Sequence, residues 1–162
     1  MFRVGQSSDI HAFCEGDHLT IGGVQIPFDK GIKAHSDGDA LCHVIAEAML
    51  GALALKDLGT HFSDTDEKNE GMSSLTILAQ VYEKIKAQGY IVQNIDSLIL
   101  IEKPKMASYI AQMQTNIANT LLCDAQAISV KATRGEGLGF IGKSEGFMAQ
   151  CVVLLKREPG KD

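Results

Sequence analysis

The sequence predicts an α+β fold: a two-layer sandwich of a mixed β-sheet with helices on one face. Three observations predict it. Strand-like and helix-like segments follow one another in the order β, ββ, α, α, β, α, β, β. Each helix-like segment is apolar along one stripe only, so each has a single face to bury. The last strand, with Cys151, Val152, Val153, Leu154 and Leu155, is apolar on both faces. It needs a cover on both sides, and association with another copy would supply the second one.

The elements follow in order. Residues 2–13 read as a strand, with Val4, Ile10, Ala12 and Phe13 as its apolar members. Residues 19–28 read as a hairpin turning at Gly22-Gly23, a pair that tolerates positive φ. Residues 41–55 read as a helix, because Leu41, Val44, Ile45, Ala48, Met49, Ala52 and Leu55 recur at helical spacing. Gly59 and the polar stretch 63–71 read as a loop. Residues 75–88 form a second helix, with Ser73 or Ser74 as N-cap and Gly89 as its stop. Residues 90–101 form a strand interrupted by polar Gln93-Asn94. Residues 107–122 form a third helix, with Ile110, Met113, Ile117 and Leu121 inward. Strands at 127–133 and 147–155 complete the chain. A single domain over residues 1–157 is expected, followed by a charged, fraying tail at 158–162.

Composition excludes some functions. The net charge is -5 and there is no Lys/Arg run, so the basic footprint of a nucleic-acid binder is missing. An anionic substrate would have to be held locally, by metal ions, backbone N–H groups and a few cations. The longest apolar stretch, around residues 46–55, contains Glu47 and is too short to span a bilayer. No signal-peptide pattern opens the chain, so a soluble, cytoplasmic protein without a membrane partner is expected. Cys14, Cys42, Cys123 and Cys151 form no CxxC pair and read as reduced thiols.

Three segments carry chemistry. Asp9 and His11 are two apart late in the first strand, so a carboxylate and an imidazole project to one face. His43 lies at the start of the first helix. Three N/O ligands with an open fourth position are the pattern of a catalytic zinc site, although Asp-x-His alone is better explained as an ordinary surface pair with a core histidine. His35-Ser36-Asp37-Gly38-Asp39 leads into that helix. Asp37 or Asp39 would cap it, and Asp39 either orients His43 or simply caps. Finally, Thr133-Arg134-Gly135-Glu136-Gly137-Leu138-Gly139-Phe140 is a Gly-rich loop after a strand. Such a loop can wrap backbone N–H groups around a phosphate, and Glu136 could hold a hard cation.

Six collinear blocks carry a resemblance: Asp9-Ile10-His11-Ala12-Phe13, Ile21-Gly22-Gly23-Val24, His35-Ser36-Asp37-Gly38-Asp39, Phe62-Ser63-Asp64-Thr65-Asp66, Pro104-Lys105-Met106 and Gly139-Phe140-Ile141-Gly142. Over nearly its whole length the chain resembles the 2-C-methyl-D-erythritol 2,4-cyclodiphosphate synthase family. The resemblance implies a homotrimer with active sites between subunits and a cytidine diphosphate substrate. CMP would be released as the 2-phosphate attacks the β-phosphorus. It implies one Zn²⁺ per subunit on Asp9, His11 and His43, and Mg²⁺ or Mn²⁺ near Glu136 with the substrate diphosphate. His35 and Ser36 match positions near the reacting phosphate. Asp57, Leu58 and Gly59 match the methylerythritol segment, with Phe62, Ser63, Asp64, Thr65 and Asp66 beside it. Ile101, Pro104, Lys105, Met106 and Ala107 match the cytosine pocket, and Thr133, Arg134 and Gly135 the diphosphate loop. Phe140 falls in the last matching block, and Lys143 stands near the trimer axis where the family usually has Arg.

The sequence also departs from the family. Arg134-Gly135 stands where the family typically has Thr-Thr, so a hydroxyl that usually stabilises the transition state is missing. Arg134 would replace it with charge-assisted bonds to phosphate, or its bulk would impair the loop.

Overall fold

The computed structural model describes residues 1–63 and 71–160. The strands are β1 (Phe2–Cys14), β2 (His18–Ile21), β3 (Val24–Pro27), β4 (Gly31–Ile32), β5 (Tyr90–Leu100), β6 (Ile128–Thr133) and β7 (Gly146–Arg157). The helices are α1 (Ala40–Ala52), α2 (Leu58–His61), α3 (Ser74–Ala87), α4 (Ile110–Thr120) and α5 (Gly139–Gly142). Five strands form one sheet in the order β4-β1-β7-β5-β6, and β2 and β3 form a separate hairpin. Only β5 and β6 run parallel, so the sheet is mixed, as expected.

The sheet has one covered face. Gly5 and Ser7 of β1 and Phe147, Ala149, Cys151, Val153 and Leu155 of β7 are buried, whereas Val4, Ile10 and Val152 stay exposed between them. Helix α1 lies on the covered face. A Cβ on Gly5 would meet the Ala48 carbonyl oxygen at 1.9 Å, which records how closely the helix crosses β1. The Ser7 hydroxyl donates to Glu47 Oε2 at 3.3 Å, a polar tie between the same two elements. Helix α3 packs on α1 and β5, and α4 packs on β6. The polar interruption at Gln93-Asn94 is a bulge. Before it Tyr90 and Val92 are buried, after it Ile95, Ser97 and Ile99, so one extra residue switches which alternate faces the core.

Helix ends differ from expectation for local reasons. Helix α1 stops at Ala52, short of residue 55, because Ala54 adopts φ 57. The Ala54 N–H then donates to Gly51 at 3.0 Å and the Leu55 N–H to Leu50 at 3.0 Å, a Schellman closure without glycine. Helix α3 does stop ahead of Gly89, which has φ 77 just past the Gln88 C-cap. Helix α4 begins at Ile110 rather than 107, and Pro104 lies in the preceding loop after a cis peptide bond. Ser73 occupies the N-cap position of α3 but makes no capping bond. Asp37 substitutes for it from a distant loop, accepting the Ser74 N–H at 2.9 Å.

Asp39 is the N-cap of α1 and is fully buried. Its carboxylate accepts from Cys42 N–H at 3.0 Å, Gly22 N–H at 2.9 Å and Gly23 N–H at 2.7 Å. All three side-chain partners are backbone donors, so the Asp39 carboxylate caps the helix and acts on His43 only through the backbone. Asp39→Ala would strand three backbone donors, each worth about 1–3 kcal/mol when left unsatisfied in the interior. Urea unfolding should show a loss of about 3 kcal/mol or more.

Two thiols give a second prediction. Burial pushes the Cys42 thiol well above its usual range and the Cys151 thiol up to about 12. Both stay protonated in the folded chain, while unfolded thiols ionise above roughly pH 8.5. The unfolded state then binds fewer protons, so stability falls as pH rises from that point toward the folded values. Urea midpoints should decline between about pH 8.5 and 10.5, and less steeply in the Cys42→Ala/Cys151→Ala variant.

Candidate metal centre and the loops around it

Strand β1 supplies two of the three candidate ligands and helix α1 the third. Asp9 and His11 pair with Ala149 and Phe147 of β7, so their backbones are held by the sheet. The two strands approach closely there: a Cβ on Gly146 would lie 2.4 Å from the His11 carbonyl oxygen. His43 sits in the first turns of α1 behind the Asp39 cap.

These three side chains converge. Asp9 Oδ2 lies 3.0 Å from His11 Nε2 and 3.5 Å from His43 Nδ1. One ligand atom from each residue falls within 4.8 Å of the other two. The imidazoles tilt 54° apart with centroids 6.0 Å apart. Phe147 lies beside His11, and Phe13 stacks on Phe147 at 5.8 Å, which walls the site with apolar surface. All three residues are half-buried.

The polar accounting fits a metal ion. His11 Nε2 is buried, and its contact with Asp9 is too poorly aligned to satisfy it as a hydrogen bond. Burial works against a charge on Asp9, but His11 and His43 outweigh it and hold the carboxyl well below the usual carboxylate range. Burial likewise opposes a proton on His11, yet Asp9 and the Lys33 carbonyl raise its pKa overall. Crowding a carboxylate between two imidazoles favours a cation among them, and a carboxylate with two imidazoles suits zinc.

The structure places the other anticipated residues unevenly. Ser36 joins the site, its Oγ 3.3 Å from His43 Nε2. His35 is exposed beside it. Asp57 is exposed and caps α2, accepting from the Thr60 N–H at 2.8 Å and hydroxyl at 2.6 Å. Leu58 and Phe62 pack against the core. Asp64, Thr65 and Asp66 lie outside the described residues. Ile101 and Met106 are buried, while Lys105 and Ala107 are exposed. Glu136 is exposed at the turn after β6, at φ 53. Phe140 is half-buried in α5, and Lys143 just beyond it is exposed.

Within one chain the Gly-rich loop and the His/Asp cluster do not meet. Asp9 pairs with Ala149, Ala149 with Ile99, and Ile99 with Ala132. Three strand spacings therefore separate β1 from β6, about 14 Å. Arg134 is engaged elsewhere: its Nε and NH2 donate to Glu102 Oε1 at 3.1 and 2.5 Å. The Gly135 N–H donates to the other Glu102 oxygen at 3.0 Å. Arg134 and Gly135 thus tie the loop after β6 to Glu102 beyond the end of β5. Hydrogen bonding from Arg134 holds the Glu102 carboxyl below its usual range. Sequence reasoning missed Glu102, Ser74 and the second role of Asp37; no local spacing links them to their partners.

Fold and site together define a class: an α+β sandwich with a half-buried Asp/His/His cluster suited to a divalent metal ion. The model of the YgbB family matches residues 2–156, and this chain belongs to the YgbB family. It is 50% identical over 158 residues to a 2-C-methyl-D-erythritol 2,4-cyclodiphosphate synthase of Geobacillus sp. (strain WCH70), covering 98% of this chain and 100% of that one. A protein of the same name from Acinetobacter baylyi is 48% identical over 94% of each chain. Among solved structures, the bifunctional IspDF of Campylobacter jejuni matches with TM-score 0.93 and 42% identity. That match covers 97% of this chain and 42% of the bifunctional one. The Plasmodium falciparum IspF–CDP complex matches with TM-score 0.85 and 31% identity, over 97% of both chains.

Glu102→Ala should free the loop after β6 from the end of β5. Hydrogen exchange at the Gly135 amide should then accelerate severalfold, while amides in the middle of β7 keep wild-type rates.

Proposed function

We propose that this chain converts 4-diphosphocytidyl-2-C-methyl-D-erythritol 2-phosphate into 2-C-methyl-D-erythritol 2,4-cyclodiphosphate with release of CMP, a step in non-mevalonate isoprenoid precursor biosynthesis. The observation that carries the reading is the convergent Asp9–His11–His43 cluster in a chain that aligns end to end with relatives of that name. An oxygen of the 2-phosphate forms a bond to the β-phosphorus. The bond from that phosphorus to the bridging oxygen breaks, and CMP leaves with the electron pair. By outcome this is a phosphorus–oxygen lyase, cyclising and metal-dependent.

The reaction asks for positioning and charge neutralisation rather than covalent help. Holding the two reacting groups together can contribute about 7–11 kcal/mol. Asp9, His11 and His43 would hold zinc, and Glu136 a Mg²⁺ or Mn²⁺ ion together with the substrate diphosphate. A divalent ion bound there supplies Lewis-acid polarisation of a phosphate oxygen. His35 and Ser36, beside His43, orient the reacting phosphate. Asp57, Leu58, Gly59, Phe62, Ser63, Asp64, Thr65 and Asp66 bind the methylerythritol portion. Ile101, Pro104, Lys105, Met106 and Ala107 bind the cytosine. Thr133, Arg134 and Gly135 receive the diphosphate, Arg134 exchanging Glu102 for phosphate when substrate arrives. Phe140 and Lys143 complete the substrate-binding set, with Lys143 near the subunit axis.

The proposed assembly is a homotrimer with sites between subunits. Two features support it: the sheet face bearing Val4, Ile10 and Val152 is exposed in the single chain, and the two halves of the site lie three strands apart. The proposed place of action is the cytoplasm. No helix among the described residues is long and apolar enough to cross a membrane.

Metal-replete protein incubated with the diphosphocytidyl substrate should release CMP. His43→Ala should lose bound zinc and slow CMP release by at least about 100-fold, since metal-borne stabilisation is worth several kcal/mol. Zinc-loaded wild-type protein that released no CMP would sink the proposed substrate. That outcome would favour another phosphoryl-transfer substrate on the same cluster, a reading to which the engaged Arg134 gives some support.

A further inference from the structure

His43 presents its two ring nitrogens to different surroundings. Nδ1 faces the metal cluster, 3.5 Å from Asp9 Oδ2. Nε2 faces away, 2.9 Å from Ser74 Oγ and 3.3 Å from Ser36 Oγ. Which nitrogen carries the hydrogen decides whether Nδ1 has a lone pair to offer.

Donor and acceptor accounting decides the Nε2 side. A serine hydroxyl has one hydrogen, and a carboxylate can only accept. Asp37 takes both donors of Ser74: Oδ1 accepts the hydroxyl, and Oδ2 accepts the backbone N–H at 2.9 Å. Toward His43 the Ser74 oxygen therefore has only a lone pair left, so Nε2 must donate. A neutral imidazole carries one hydrogen, so with a cation between Nδ1 and Asp9 Oδ2 the ring keeps that hydrogen on Nε2 and offers the Nδ1 lone pair to the cluster. Ser36 does not decide the question, because its hydroxyl can turn either way; its oxygen already accepts the Gly38 N–H at 3.3 Å.

The relay is built rather than incidental. Ser74 is fully buried, so no bulk water can replace it. It is the first residue of α3, whose position is fixed by packing on α1. Asp37 is pinned in turn by the Asp39 N–H at 3.2 Å.

We propose that Ser74 and Asp37 are positioning residues that fix the hydrogen of His43 on Nε2 and so present its Nδ1 lone pair to a divalent cation. The proposal rests on the metal reading of the Asp9–His11–His43 cluster. The groups that hold the far side of a metal-bound histidine typically govern affinity by about 10–100-fold. Here that function falls to a hydroxyl polarised by a carboxylate, reached from a helix 31 positions further along the chain.

Two measurements test it. In the zinc-loaded wild-type protein, ¹⁵N spectra of the His43 ring should show a protonated Nε2 and a metal-bound Nδ1; the reverse assignment overturns the relay. In chelator competition, Ser74→Ala should bind zinc about 10–100-fold more weakly. Ser74→Thr, which keeps the hydroxyl, should recover most of that loss. Asp37→Asn, whose amide no longer obliges the Ser74 hydroxyl to donate to it, should weaken zinc binding severalfold. If Ser74→Ala does not fold, Asp37→Asn and the wild-type spectrum decide. Wild-type zinc affinity in a folded Ser74→Ala or Asp37→Asn chain overturns the relay while leaving the metal site standing. A wild-type chain that takes up no zinc overturns both.

Discussion

A buried carboxylate at the head of α1 holds the architecture of the site in place. Asp39 has no solvent exposure, and burial pushes its pKa up despite three backbone N–H groups that favour the charged form. Such a group survives in a core only when its lone pairs are taken. Two of its donors belong to the β2–β3 turn at Gly22-Gly23 and one to α1, so a single side chain locks the hairpin to the helix start. His43 lies one turn further on, its own N–H bonded to the Asp39 carbonyl at 3.1 Å. The position of His43 in the cluster thus depends on a residue that never touches Asp9 or His11.

The neighbouring carboxylate two positions earlier does something different with the same chemistry. Between them Gly38 adopts φ 74, and a Cβ there would meet the Ile32 side chain at 2.7 Å. That left-handed residue lets Asp39 turn inward toward the hairpin while Asp37 turns toward α3. Helix α3 is therefore capped by the loop that starts α1, and the two helices share one polar hinge. Moving α3 away from α1 would uncap it and at the same time withdraw Ser74 from His43. Helix packing and ligand orientation are in this way one cooperative unit rather than two independent features.

Much of this could be read from the residues, and the remainder could not for physical reasons. Periodicity located the principal strands and helices because burial on one face imposes it. The Asp9/His11 pair was visible because i and i+2 share a strand face. The bulge at Gln93-Asn94 announced itself as a break in apolar alternation. The end of α1 did not, because Ala54 rather than glycine takes the left-handed position. Ser74 was legible only as a helix cap: its contact with His43 is tertiary, and nothing in a Ser at a helix start distinguishes one that supports a ligand from one that faces water. Glu102 was invisible for the same reason, since a pairing across two parallel strand ends leaves no mark in either segment.

The parallel pairing of β5 and β6 has a further consequence for the proposed trimer. Adjacent parallel strands send their following loops out on the same side, so residues 101–107 and 133–136 emerge together, and Glu102 binds them into one piece through Arg134 and Gly135. The proposed cytosine and diphosphate segments would then move as a unit. The Asp9–His11–His43 cluster belongs to the other side of the sheet, next to the short edge strand β4. On the proposed function, one chain therefore carries two unlike half-sites toward opposite edges of the sheet. Unlike surfaces can meet only head to tail, and head-to-tail contacts either run on as filaments or close into a ring. In the proposed trimer, a closed ring would give every copy's cluster a neighbour's loops 101–107 and 133–136, and would offer a cover for the exposed Val4, Ile10 and Val152 face. The apolar face and the divided site are then two sides of one requirement.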